Sequence, residues 1–178
     1  MKLLKWVRRN KCPWDSWTCA YAARAGNLEI LKWARRKRCE WNRDTCSSAA
    51  GGGHIEILQW AREKGCPWDA RTFAFAALHG QLEVLKWAKE QGCPWDANTC
   101  SCAAMGGHME VLQWAKEQGC PCNSWTCAYA ALNGDLEMLK WARQNGCPWD
   151  EFTYRLAASN GHSDVLEWAK DNGVPTPA

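Results

Sequence analysis

The chain lacks most of the features that announce a catalyst or a membrane protein. No stretch of about 18 consecutive apolar residues occurs, so no membrane-spanning helix can be written on it. Met1 to Asn10 alternate apolar with basic side chains instead of forming a signal-peptide core, which reads as a soluble, unexported, cytoplasmic protein. There is no Gly-x-Gly-x-x-Gly, no phosphate loop and no Ser-His-Asp order, and the paired Cys-x-x-Cys knuckle spacing of zinc sites is missing. Nothing therefore supports an enzyme, a cofactor, a metal site or a small-molecule substrate.

What the chain has is a period. Cys12-Pro13-Trp14-Asp15 returns as Cys39-Glu40-Trp41-Asn42, Cys66 to Asp69, Cys93 to Asp96, Cys120-Pro121-Cys122-Asn123 and Cys147 to Asp150, always 27 residues apart. A fixed spacing of this size marks stacked supersecondary units, each burying its apolar face against its neighbours. The 178 residues are therefore read as one array: an outer half-repeat at 1–11, repeats at 12–38, 39–65, 66–92, 93–119, 120–146 and 147–173, and a tail at 174–178. Neither end carries the polar substitutions of a capping repeat, which suggests a piece of a longer array or ends that meet other molecules.

Residues 66–92 show the logic of one unit. Asp69 stands as an N-cap, with Thr72 as a weak substitute for the acid of a capping box, and a first helix is expected from about Ala70 to Leu78. Gly80 suits a left-handed turn, Glu83 favours the start of a second helix, and Gly92 ends it. At the position before that second helix His54, His108 and His162 alternate with Asn27, Gln81 and Asp135, and helix capping is the expected role for all of them. The core stripe is the slot of Cys19, Cys46, Phe73, Cys100, Cys127 and Tyr154 with the following Ala-Ala pair, facing Ile30, Leu31, Trp33 and Ala34 and their equivalents. Two tryptophan columns, Trp6 to Trp168 on the second helices and Trp14 to Trp149 in the turns, are expected to fill packing slots.

Twelve cysteines could imply disulfides. Equivalent residues of stacked helices lie about 8 to 10 Å apart, however, beyond the roughly 7 Å that a bridge allows. Reduced thiols acting as small hydrophobes are the expectation.

The stretch Gly107-His108-Met109-Glu110-Val111-Leu112, preceded by Thr99 and Ala103-Ala104 and followed by Gly119-Cys120, resembles the ankyrin repeat. The resemblance implies an all-α, ankyrin-like helical solenoid; the 27-residue unit implies that the family's β-hairpin finger is shortened or absent. The Trp and Cys pattern resembles short ankyrin repeats of giant DNA viruses of amoebae and of some protists. That resemblance implies a role in protein interaction, inside a host cell if the origin is viral.

The face that changes between copies is where function should lie. Positions 17, 21 and 24 share one side of the first helix, opposite the constant stripe. Their contents include Trp17, Tyr21 and Arg24; Asp44; Arg71 and Phe75; Asn98 and Met105; Trp125 and Tyr129; and Phe152. These are the candidate partner-binding residues for a protein partner. Residues 16–23 and 124–131 are identical, which recent duplication would also produce.

Charge offers a competing site. Residues 1–43 carry twelve Lys or Arg against three acids, a balance of +9, while residues 44–178 balance at −6. Lys2, Lys5, Arg8, Arg9, Lys11 and Arg35-Arg36-Lys37-Arg38 could steer nucleic acid or an acidic partner. They lack interleaved exposed aromatics for stacking on bases, so a solvated face is favoured over nucleic acid, and a structural spacer is the other alternative.

Overall fold

The computed structural model describes residues 14–176, so Trp6, Cys12, the half-repeat at 1–11 and the cations from Lys2 to Lys11 lie outside the described residues. Twelve helices follow one another in pairs among those described, and no strand occurs among them. The inner helices are α1 (Ser16–Arg24), α3 (Arg43–Gly51), α5 (Ala70–Leu78), α7 (Asn98–Met105), α9 (Ser124–Leu132) and α11 (Glu151–Ser159). The outer ones are α2 (Leu28–Arg36), α4 (Ile55–Glu63), α6 (Leu82–Glu90), α8 (Met109–Glu117), α10 (Leu136–Gln144) and α12 (Ser163–Asp171). This is an all-α solenoid, with a tight turn where a finger would stand.

Local chemistry sets each boundary. The side chains of Asp15, Asn42, Asp69 and Asp150 accept from the backbone N–H two residues on, which satisfies one of the orphan donors at each inner-helix start. Thr72 does not act as a capping-box residue: it is fully buried and its hydroxyl has no hydrogen-bond partner, as also holds for Thr45, Thr99, Thr126 and Thr153. Gly80 adopts φ +69° and its equivalents are likewise positive, so an L side chain would be strained at the bend between helices.

The capping expectation holds for Asn27 and Asp135, which accept from Ile30 N–H and Met138 N–H at 3.0 and 2.9 Å. It fails for His54, Gln81, His108 and His162, none of which makes a side-chain cap bond. Two of the imidazoles reach sideways instead. Nε2–H of His54 donates to the Arg24 carbonyl at 3.0 Å, and that of His162 to the Leu132 carbonyl at 2.9 Å, each joining an outer-helix start to the end of the inner helix one repeat earlier.

Packing follows the constant stripe. Cys19, Cys46, Phe73, Cys100 and Cys127 are fully buried, and so are the alanines at 23, 50, 77, 104 and 131. Small residues let each inner helix press on the next, whereas consecutive outer helices approach each other far less. The wider outer spacing is filled by indoles. Each turn tryptophan meets the outer-helix tryptophan of its own repeat nearly edge-on, as in Trp41 with Trp60 at 5.7 Å and Trp68 with Trp87 at 6.0 Å. A cation of the preceding repeat caps its other side, Arg35 over Trp41 at 4.2 Å and Arg143 over Trp149 at 4.2 Å.

The turn cysteines are buried, and their thiols also act as donors. Cys39 donates to the Asp15 carbonyl at 3.2 Å and Cys120 to that of Asp96 at 3.3 Å, stitching successive turns together. The expectation that every thiol is reduced is corrected at one place: Cys122 and Cys147 form a disulfide with Cα atoms 5.4 Å apart. The helix-spacing argument fails there because the bond joins two turns, which run closer together than stacked helices do. Cys122 stands in the tryptophan slot, so the bridge replaces the indole that other copies use.

At the far end Val174 is buried and its N–H donates to the Ala169 carbonyl at 2.9 Å, as Cys147 does to Ala142. Valine thus fills the slot of a turn cysteine.

Candidate interaction face

The inner-helix row that varies in sequence is a surface. Trp17, Tyr21, Phe75, Met105, Trp125 and Phe152 are the six exposed large hydrophobics among the described residues, and all six belong to that row. Soluble proteins seldom leave large apolar side chains together on one side. Arg24, Arg71 and Asn98 are exposed as well, while Asp44 and Tyr129 are half-buried.

The row is not uniform. At one end Trp17 and Tyr21 lie 6.1 Å apart on α1. Toward the other, Trp125 lies 5.4 Å from both Tyr129 and Phe152, so a continuous aromatic patch crosses from α9 to α11. Between them sits an ion-paired strip: Arg71 bonds Asp44 at 3.0 Å and Asp69 at 3.3 Å, and Arg43 bonds Asp69 at 3.0 Å. Burial acts to raise the Asp69 carboxyl, but Arg43, the Arg71 N–H and the Arg71 guanidinium outweigh it and hold the group below its ordinary value. Arg71 and Asp44 therefore spend their charge on one another, and they are weaker anchors than the aromatic ends.

Arg24 is similarly occupied. Its guanidinium donates to Nε2 of His79 at 2.9 Å, two repeats along, and Nδ1–H of His79 donates to the Phe75 carbonyl at 2.9 Å. The bond fixes the histidine tautomer and ties three inner helices into one surface.

Other candidates dissolve in the structure. Cys100, Cys102, Cys120 and Cys122 do not converge: Cys100 sits against Cys120, while Cys122 is bridged to Cys147. No group of three or more His, Cys, Asp or Glu able to hold a metal occurs among the described residues. No helix among the described residues is long and apolar enough to cross a membrane. Half-buried Trp41 and Trp60 lie among Lys32, Arg35, Arg36 and Lys64 on the outer side, an arrangement hidden from the sequence because its members come from two repeats.

These features define an ankyrin-like helical solenoid with an exposed aromatic inner row. Residues 100–143 match the family model for ankyrin repeats in many copies. The fold is similar to the crystal structure of the human ASB11 ankyrin repeat domain, with a TM-score of 0.65 over 88% of this chain and 83% of that one at 16% identity. No curated protein matches the sequence.

Proposed function

We propose that this chain is a non-enzymatic interaction module that binds a protein partner along the exposed row of its inner helices. Ankyrin repeats are generally protein-interaction modules. The observation that carries the reading is that the six large hydrophobics exposed among the described residues all stand on the one face that varies between copies. Trp17 with Tyr21, and Trp125 with Tyr129 and Phe152, are the anchors, since buried aromatics supply most of the energy at protein interfaces. The polar strip around Arg71 and Asp44 sets register between them. Eight of the nine free cysteines among the described residues are buried, which fits a reducing cytoplasm, the host's if the Trp and Cys pattern reflects a viral origin; the Cys122–Cys147 bridge is the one feature that favours an oxidising setting.

The test is capture of partner from the native cell by the wild-type chain and by Trp17→Ala with Trp125→Ala. Loss of a captured protein with unchanged helicity supports the reading. Unchanged capture removes this face from consideration and leaves a structural spacer as the alternative.

A further inference from the structure

The outer side of the stack holds a set of grooves that the inner-face reading does not use. Because consecutive outer helices stand apart, open clefts remain beside several of the outer-helix tryptophans. Three such clefts are built from equivalent positions. The first, of about 390 Å³, is lined by Lys32, Arg35, Arg36, Trp41, Trp60 and Lys64. The second, about 570 Å³, is lined by Gln59, Arg62, Glu63, Trp68, Trp87 and Gln91, each residue 27 positions on from its counterpart. The third, about 420 Å³, has Lys86, Lys89, Glu90, Trp114 and Gln118. All three fall in the size range of small-molecule sites, roughly 300 to 1,000 Å³.

The scaffold is shared and the charge is not. The second and third grooves each carry a glutamate in the slot of Arg36 and a glutamine in that of Lys64, whereas four cations and no carboxylate line the first. Arg35 is fixed, stacked 4.2 Å over Trp41 with its guanidinium donating to the Cys39 carbonyl. Lys32 is partly offset by Glu29 at 3.8 Å. Arg36 only donates to the Lys32 carbonyl at 3.4 Å, and neither it nor Lys64 has a carboxylate partner among the described residues. Two exposed cations thus stand at the wall of a cleft without a counter-charge, beside an apolar corner where Trp41 and Trp60 meet 66° from parallel. Uncompensated guanidinium and ammonium groups favour a multiply charged oxyanion, and an indole wall favours a planar ring.

We propose that the groove between α2 and α4 is a binding site for a small aromatic phosphate, a planar ring carrying a phosphate group, with Arg36, Lys64 and Lys32 on the phosphate and Trp41 and Trp60 against the ring. The ligand chemistry is shared by nucleotides and by simple aryl phosphates. The site lies on the opposite side of the stack from the inner row and stands independently of the proposed partner.

Isothermal titration of the full chain with adenosine monophosphate, phenyl phosphate, adenosine and inorganic phosphate tests it. At least one of the two ring phosphates is expected to bind one per chain, ten-fold or more tighter than either adenosine or inorganic phosphate, and the tighter of the two identifies the source of the ring. Lys32→Gln with Arg36→Glu and Lys64→Gln gives this groove the lining of the second one, residues the same scaffold already accepts, and is expected to cut affinity at least ten-fold with unchanged helicity. The reverse set, Gln59→Lys with Glu63→Arg and Gln91→Lys, should install a second site. No saturable binding of either ring phosphate, equal binding of inorganic phosphate, or undiminished affinity in the folded triple variant each overturns the proposal.

Discussion

The indole of Trp125 stacks on the ring of Phe152 across a repeat boundary, with centroids 5.4 Å apart and planes 24° from parallel. Both rings are substantially exposed, at 41% and 42%. Such a pair contributes less to folding than a core contact, because a large share of its apolar area, about two fifths, still faces water. Trp125→Ala is therefore expected to lower stability by less than about 1 kcal/mol. Phe73→Ala is the contrast: Phe73 is fully buried and lies 5.3 Å from Trp95, so the cavity left behind should cost about 3 to 5 kcal/mol. Urea unfolding of the two variants measures both. A Trp125 variant as damaging as the Phe73 one would make the aromatic patch part of the scaffold rather than a surface held ready for a partner.

The Cys122–Cys147 bridge closes a loop of 25 residues between adjacent turns. Chain-entropy reasoning gives such a crosslink about 3 kcal/mol of stabilisation, through restriction of the unfolded chain. Cys122→Ser, or reduction of the wild type, is expected to lower the urea midpoint accordingly. Restoring the column with Cys122→Trp should recover part of the loss, since Trp141 and Lys116 already stand where the other copies place their ring and cation partners. Equal midpoints for the oxidised and reduced protein would contradict this account.

The remaining thiols predict an alkaline limit. Burial pushes Cys19, Cys93 and Cys127 up from about 9 to about 12. A thiol whose folded value is raised stays protonated in the fold while its unfolded counterpart ionises, so the stability linked to it is fully present below pH 9 and is lost as pH rises toward 12. Thermal midpoints should accordingly be flat from pH 7 to 8.5 and fall above pH 9. The same burial keeps thiolate scarce, so a neutral-pH thiol reagent should label these residues only in denaturant.

Much of the scaffold could be read from one repeat. The bounds of α5, Ala70–Leu78, the left-handed Gly80 and the buried stripe of Phe73, Ala76 and Ala77 all follow from spacing and from rules that act within a few residues. The exposed row was legible for the same reason, because the face opposite a helical core stripe must point away from it. What the pattern hid is lateral. His162 finds the Leu132 carbonyl, Cys122 finds Cys147, and Lys64 joins Arg36 in one groove through contacts 25 to 30 residues apart, set by how turns and outer helices lie side by side. A period specifies each copy, while the distance between copies is decided by packing.

Gly134 and His162 show how tight that lateral packing is. Gly134 sits at φ +70°, and a Cβ placed on it would lie 2.5 Å from Nδ1 of His162, the ring that bonds the Leu132 carbonyl. Gly107 has a similar φ of +73° with nothing within 4 Å of its would-be Cβ. Gly107→Ala should therefore cost only the left-handed strain, about 1 kcal/mol, whereas Gly134→Ala adds a clash and displaces the imidazole from its carbonyl, for about 2 to 3 kcal/mol in all. If the excess comes from the histidine, it must vanish when the ring is gone. In the double variant Gly134→Ala with His162→Ala the two costs should fall short of their sum by about 1 kcal/mol or more. Strict additivity in thermal or urea unfolding would show that the ring and the bend act separately, and that the glycine is required by its backbone alone.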